Sequence, residues 1–264
     1  VTTSPTQTAH LTELFSSVQG EGPYVGVRQL FVRFYGCHRR CVYCDSPETV
    51  TAWQPAGFRP ALFRREQTPG HRDFQPADNP VTVAGLTDLL RDLERRAGPH
   101  HSVALTGGEP LLHAEFLREL LPQVEHLGLK SYLETAGDLY PQLDLLLPWL
   151  DIAAMDIKLP SVTGNEAAWG SHQRFLARCL DNEVEVFAKA IVSAGTDPAD
   201  LDAACRLIAE TNPGVLFVLQ PMTPHGEARN PPRAEQLLDW QARCLRHLPH
   251  VRIIPQTHKM MGQL

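Results

Sequence analysis

From residue 28 onward, short runs of β-branched and apolar residues alternate with longer stretches whose apolar positions recur every three or four residues. A period of two buries one face of a strand, and a period near 3.6 buries one stripe of a helix. The alternation therefore predicts βα units feeding a parallel sheet. Strands are predicted at residues 29–34, 102–106, 130–134, 152–156, 185–193, 216–220 and 251–254, with helices at 83–96, 114–124, 142–147, 166–180, 199–210 and 234–247. Thr82 is the expected N-cap of the first helix, and Pro198 fits the first turn of the fifth. Right-handed crossovers curl such a series into an α/β fold, a barrel or partial (β/α) barrel of parallel strands. Functional loops then gather at the strands' C-terminal ends.

One stretch breaks the rhythm. Residues 46–80 contain Pro47, Pro55, Pro60, Pro69, Pro76 and Pro80 among Arg59, Arg64, Arg65 and Arg72, too many prolines for a long helix. An extended insertion is predicted, either a disordered linker or a segment anchored by Trp53, Phe58, Phe63 and Phe74.

Composition narrows the class. With 264 residues and 43% hydrophobic content, the chain suits one domain spanning 1–264. Its 24 basic and 30 acidic residues give a net charge of −6, without the positive field that phosphate backbones require, so direct nucleic-acid binding is not expected. Residues 1–10 are polar and lack an apolar core flanked by basic residues, which predicts a flexible arm or tag remnant and no signal peptide. The richest apolar stretch, residues 143–157, is broken by Asp144, Pro148, Asp151 and Asp156 and cannot span a bilayer. A soluble, cytoplasmic protein is expected.

The six cysteines form two groups. Cys179, Cys205 and Cys244 lie far apart in helix-like contexts and are expected to behave as small buried hydrophobes, with no disulfide framework. Cys37, Cys41 and Cys44 crowd together after the predicted strand 29–34, hence on a loop at the sheet's C-terminal edge. Three thiolates leave structural zinc one ligand short unless His38 completes it, whereas on a 4Fe–4S cluster they leave one iron open to a small molecule. Thr106-Gly107-Gly108-Glu109-Pro110 follows another predicted strand; the glycines would let a ligand approach bare backbone, and Glu109 can pair with an ammonium group. Glu134-Thr135-Ala136-Gly137, Asp156-Ile157-Lys158 and Gln220-Pro221-Met222-Thr223 follow later strands, where ordinary turns and caps also occur.

The CxxxCxxC spacing, with Tyr43 before the last cysteine, resembles the radical S-adenosylmethionine superfamily. This resemblance implies that Cys37, Cys41 and Cys44 hold a 4Fe–4S cluster whose open iron is chelated by the methionine end of S-adenosylmethionine. Carbon–sulfur cleavage would then release a 5′-deoxyadenosyl radical. By the same resemblance Tyr43, Cys44 and Asp45 contact the cofactor, and Gly107, Gly108 and Glu109 hold its amino group. Glu134, Asp156, Ile157 and Lys158, then Gln220, Pro221, Met222 and Thr223, match the order of the superfamily's remaining cofactor contacts.

Phe15-Ser16-Ser17-Val18-Gln19-Gly20-Glu21-Gly22-Pro23, Arg33, Cys44-Asp45-Ser46 and Pro255-Gln256-Thr257-His258-Lys259 together resemble the 7-carboxy-7-deazaguanine synthases of queuosine and deazapurine biosynthesis. The resemblance implies ring contraction of 6-carboxy-5,6,7,8-tetrahydropterin, with loss of ammonia. It places Val18, Gln19, Gly20, Glu21, Thr106, Gln256 and His258 on the substrate, and Arg33 on the substrate carboxylate as a bidentate donor. Family members usually carry a threonine after Cys-Asp to bind Mg2+. Here Ser46 keeps the oxygen but lacks the methyl that restricts its rotamer, so a changed magnesium dependence is expected. Pro47 and the 46–80 insertion also depart from the pattern. The family further suggests a homodimer and a flavodoxin- or ferredoxin-like electron donor. Two alternatives predict different sites: a glycyl-radical activating enzyme with a broad open groove, and a zinc-stabilised binding module built on Cys37, Cys41, Cys44 and His38.

Overall fold

The structure is a computed structural model and describes residues 7–226 and 228–263. All seven predicted strands form: β3 (Arg28–Phe34), β7 (Ser102–Gly107), β8 (Lys130–Thr135), β9 (Ile152–Asp156), β10 (Glu185–Val192), β11 (Phe217–Pro221) and β12 (Val251–Ile253). They pair in parallel in chain order. Five predicted helices return antiparallel to their strands as α1 (Val83–Ala97), α2 (Ala114–His126), α5 (Trp169–Asp181), α6 (Pro198–Thr211) and α7 (Ala234–Cys244). Thr82 caps α1 by accepting from the Gly85 amide at 3.1 Å, and Pro198 opens α6 behind the capping Asp197.

Several elements depart from the expectation. Strand β2 (Leu11–Val18) pairs antiparallel with β3, and the insertion forms a hairpin, β4 (Leu62–Glu66) and β5 (Phe74–Asp78), that extends the sheet beyond it. The expected flexible arm is corrected in part: β1 (Thr8–Ala9) pairs with β6 (Val81–Thr82), while residues 1–6 lie outside the described residues. The helix expected at 142–147 shrinks to α3 (Tyr140–Leu143) and a 3-10 turn, with Pro148 inside the turn; a further short helix, α4, covers Pro160–Thr163. Of the four aromatic anchors, Phe63 is buried and Phe74 packs edge-on against Phe15, whereas Trp53 and Phe58 remain exposed.

The ten-stranded sheet runs β12-β11-β10-β9-β8-β7-β3-β2-β4-β5 and stays open, a partial barrel. Its convex face carries Leu30, Val32, Val103, Leu105, Leu133, Met155, Ala188 and Leu219, packed under the helices. Cys179, Cys205 and Cys244 are buried in that layer. The concave face carries a separate apolar floor of Phe15, Phe31, Ala104, Tyr132, Ile152, Ala154, Phe187 and Val218. Among the described residues no helix is long and apolar enough to cross a membrane.

Candidate active site

Two residues beyond the apolar floor, each strand turns polar. Phe31 is followed on the concave face by Arg33, Ala104 by Thr106, Tyr132 by Glu134, Ala154 by Asp156, Phe187 by Lys189 and Val218 by Gln220. Successive side chains alternate faces, so a step of two keeps each new residue on the concave side and moves it toward the strand's C-terminal end. The six polar residues line one cavity with Cys37, Cys41 and Cys44 at its rim.

The cluster loop is held mainly through backbone. The Cys44 amide donates to the Cys41 carbonyl at 3.0 Å, Val42 N donates to Thr163 O at 3.2 Å, and Glu109 N reaches Gly36 O at 2.8 Å. The Gly-Gly pair explains that approach. A Cβ on Gly108 would stand 2.0 Å from the Gly36 carbonyl, so the pair serves the cluster loop's own backbone as well as facing the cavity. Asp138 anchors the loop through one oxygen, taking His38 Nε2 at 2.8 Å and Arg39 Nη2 at 2.6 Å. Burial alone would raise the Asp138 carboxyl, but His38 and Arg39 bring it to about 2.

The three thiols suit a cluster. The Arg39 amide lies 3.4 Å from Cys37 Sγ, and Asn165 Nδ2 lies 3.6 Å from Cys41 Sγ, the donors that iron-bound thiolates favour. Burial pushes the Cys37 thiol up to about 12 and raises Cys44, so bound iron would have to supply the compensating positive charge. His38, the possible fourth zinc donor, is engaged by Asp138. Among the described residues no group of three or more His, Cys, Asp and Glu is gathered to hold a single metal ion.

The opposite wall is a lattice of side chains bonded to one another. Gln19 Nε2 donates to Glu134 Oε1 at 2.8 Å and to Gln29 Oε1 at 3.0 Å, and Thr106 Oγ1 donates to Glu134 Oε2 at 2.6 Å. Burial and the nearby Glu21 charge raise the Glu134 carboxyl. Glu21 is half-buried, and its ion pair with Lys189, aided by Gln256 Nε2 at 2.6 Å, overrides the cost of desolvation and lowers its carboxyl to about 2. Asp156 accepts from Lys158 at 2.8 Å, and Lys158 lies 5.6 Å from the Tyr43 ring centroid. Asp156 Oδ1 and Gln220 Oε1 are buried without a partner among the described residues, two acceptors fit for donors on a ligand. His258 closes over the Gly20 turn, where a Cβ would meet its imidazole at 1.9 Å.

Most of the expected site residues meet at this cavity: Val18, Gln19, Gly20, Glu21, Arg33, Thr106, Gln256 and His258 from the substrate set, and from the cofactor set Tyr43, Cys44, Asp45, Gly107, Gly108, Glu134, Asp156, Lys158, Gln220, Pro221, Met222 and Thr223, with Ser46 beside them. Two of the expected residues lie outside this cavity. Glu109 is buried behind the wall, its carboxylate accepting from Leu111 N, Thr135 Oγ1 and Ala136 N, so in this structure it holds the β8 loop and does not line this cavity. Ile157 belongs to the helix-covered core because it falls on the convex side of its strand. Glu134, expected on the cofactor, is bonded to Gln19 and Thr106, both expected on the substrate.

Sequence reasoning missed Lys189, Arg39, Asp138 and the aromatic floor. Lys189 carried a signal: it is a lone charge within the apolar strand Val186-Phe187-Ala188-Lys189-Ala190-Ile191. Arg39 and Asp138 carried none, since 99 positions separate them.

Residues 31–163 match the model of the Radical SAM superfamily. A 7-carboxy-7-deazaguanine synthase of Geobacter sulfurreducens is 43% identical over 258 residues, covering 97% of this chain and 98% of that protein. One from Methanopyrus kandleri is 33% identical, covering 97% and 95%. Among solved structures, QueE from Escherichia coli aligns with a TM-score of 0.60 at 20% identity over 95% of each chain. Streptococcus suis SuiB bound to S-adenosylmethionine aligns with a TM-score of 0.54 at 12% identity, over 83% of this chain and 48% of its own. At such identities both structures speak to the fold alone, and both share the partial barrel.

Proposed function

Because this chain belongs to the 7-carboxy-7-deazaguanine synthase family of the radical SAM superfamily, we propose that it converts 6-carboxy-5,6,7,8-tetrahydropterin to 7-carboxy-7-deazaguanine and ammonia. The observation that carries this reading is the single cavity shared by the cysteine loop and the polar lattice of Gln19, Thr106 and Glu134. A fused pterin edge offers alternating donors and acceptors, which such a fixed lattice can match. A broad groove for a protein substrate would have no need of it.

Cys37, Cys41 and Cys44 would hold the 4Fe–4S cluster. When bound, the cluster and S-adenosylmethionine supply a radical able to remove hydrogen from carbon. The chain's own residues bind and orient. Arg33 takes the substrate carboxylate, Gln19, Glu21 and Thr106 fix the ring edge, and Glu134 braces Gln19 and Thr106 from behind. Tyr43, Asp156, Lys158 and the segment Gln220 to Thr223 flank the cofactor side. His258 and Gln256 close the C-terminal segment over the Gly20 turn and exclude water. Ser46 Oγ and Asp45 Oδ1, 3.5 Å apart, are hard oxygens of the kind that would suit Mg2+. Ser46 would hold the ion, which would neutralise carboxylate charge.

The proposal extends to one domain over 1–264 with 46–80 as an insertion, a homodimer in the cytoplasm, and a flavodoxin- or ferredoxin-like donor. The test is anaerobic incubation of reconstituted, reduced protein with the carboxy-tetrahydropterin, S-adenosylmethionine and Mg2+. The deazaguanine product is expected. Cleavage of S-adenosylmethionine without that product would overturn the assignment.

A further inference from the structure

Arg33 is the residue proposed for the substrate carboxylate, yet it is already paired. Glu13 Oε2 accepts from its Nε at 2.9 Å. A carboxylate beside one guanidinium ordinarily takes two parallel N–H bonds, which would consume that edge and cancel its charge. Here Glu13 does otherwise, because its other oxygen is held at 2.8 Å by Arg64 Nη1, from the hairpin of the insertion. The three side chains stand in a row across three strands: Glu13 is opposite Arg33 in the antiparallel β2–β3 register and opposite Arg64 in the parallel β2–β4 register. Thr106 continues the row beside Arg33.

Both ends of the row lie against aromatic rings, although Arg64 itself is exposed. The Arg64 guanidinium lies 4.2 Å from the Phe74 ring centroid, Phe74 meets Phe15 edge-on at 6.2 Å, and Phe15 stacks on Phe31 at 5.1 Å. Arg33 lies 5.9 Å from the Phe15 centroid and directs Nη1 to Ser46 Oγ at 3.3 Å. Two cations on one carboxylate leave the row with one net positive charge, and the free side of Arg33 lines the cavity.

We propose that Arg64 and Glu13 are positioning residues for carboxylate recognition: Arg64 holds one oxygen of Glu13, which limits Glu13 to a single bond with Arg33 and leaves the guanidinium oriented, with Nη2 available to an anion. The hairpin of the insertion thereby sets the affinity of a site it does not line. This inference rests on the substrate reading above.

Its test uses full-length reconstituted protein with S-adenosylmethionine and two fluorescent aromatic probes, 6-carboxypterin and unsubstituted pterin. Wild type should prefer the carboxylated probe. Arg64→Met should weaken 6-carboxypterin about tenfold, as for loss of a charged partner, and pterin by less than about twofold. In turnover KM should rise more than kcat falls, and Arg64→Lys should recover most of the loss because an ammonium can still reach Glu13. Adding Arg64→Met to a Glu13→Gln background should produce little further change, since the arginine acts through that carboxylate. Equal weakening of both probes, no weakening of either, or additive losses in the double variant would overturn the proposal. A wild type that fails to distinguish the probes would instead sink the substrate reading, and this inference with it.

Discussion

The two walls of the cavity are built on different principles. Around the cysteines the chain is fixed by backbone hydrogen bonds and one half-buried carboxylate, Asp138, so the sulfur positions follow from the path of the loop. Across from them, Gln19, Thr106, Glu134, Glu21 and Lys189 hold one another through side chains. A loop fixed by its backbone tolerates side-chain change until a ligand itself is lost. A lattice loses function in steps, because removing any member leaves a buried partner unsatisfied.

The largest effect expected on this contrast is at the ligands. Cys44→Ala should lower activity by about 10³-fold or more and reduce bound iron and sulfide, whereas Asp138→Asn, which only orients the loop, should cost about 10–100-fold and leave iron partly retained. Iron and sulfide analysis beside the product assay checks both. An Asp138 variant as iron-free as Cys44→Ala would mean that the wall depends on its side chains after all.

A smaller, graded loss is expected on the lattice. Thr106→Val is nearly isosteric and removes the hydroxyl that donates to Glu134 Oε2, leaving a partly buried oxygen unpaired. A cost of about 1–3 kcal/mol follows, a KM for the pterin raised roughly 10- to 100-fold. Iron content and the affinity for S-adenosylmethionine should stay near wild type. If the affinity for S-adenosylmethionine fell instead, Glu134 would belong to the cofactor's side of the cavity.

The same contrast decides what the sequence could reveal. The seven parallel strands were legible because their convex-face residues are apolar and their neighbours small or aromatic, a pattern that no partner obscures. Strand β2 was not, because Glu13, Ser16 and Ser17 read as surface residues. Glu13 is buried by Arg33, and Ser16 by His100 at 2.8 Å and by Glu66, partners far away in sequence. The hairpin of the insertion was hidden in the same way by its arginines and prolines, and an apolar run at 142–147 suggested a helix that ends at Leu143. At the site, cysteine spacing and the Gln-Gly-Glu-Gly turn are local signals and marked their loops. Pairings such as Arg39 with Asp138, or Lys189 with Glu21, exist only once the sheet has curled.

The smallest effect concerns acid stability, and it probes the support behind the cysteine wall. His172 on α5 is fully buried and its Nε2 lies 3.0 Å from the Ala136 carbonyl, in the loop after β8. Burial, with Arg39 adding like charge and Asp138 and Asp156 only partly opposing it, lowers this imidazole from 6.5 to about 4. Above pH 6.5 both the folded and unfolded imidazole are neutral, and the group has no effect on stability. As pH falls below 6.5 the unfolded chain takes up a proton that the folded chain refuses, so stability drains away until the folded ring also protonates near pH 4. The full loss amounts to about 3 kcal/mol, from 1.36 kcal/mol per pH unit. His172→Gln keeps an N–H for Ala136 but cannot titrate. Denaturant unfolding of both proteins at several pH values should show wild type losing stability faster between pH 6.5 and 4, while the other histidines, common to both, cancel in the difference. Parallel stability curves would mean that the ring is protonated within the fold and that the loop beneath the cysteines is wetter than the packing around Ala136 implies.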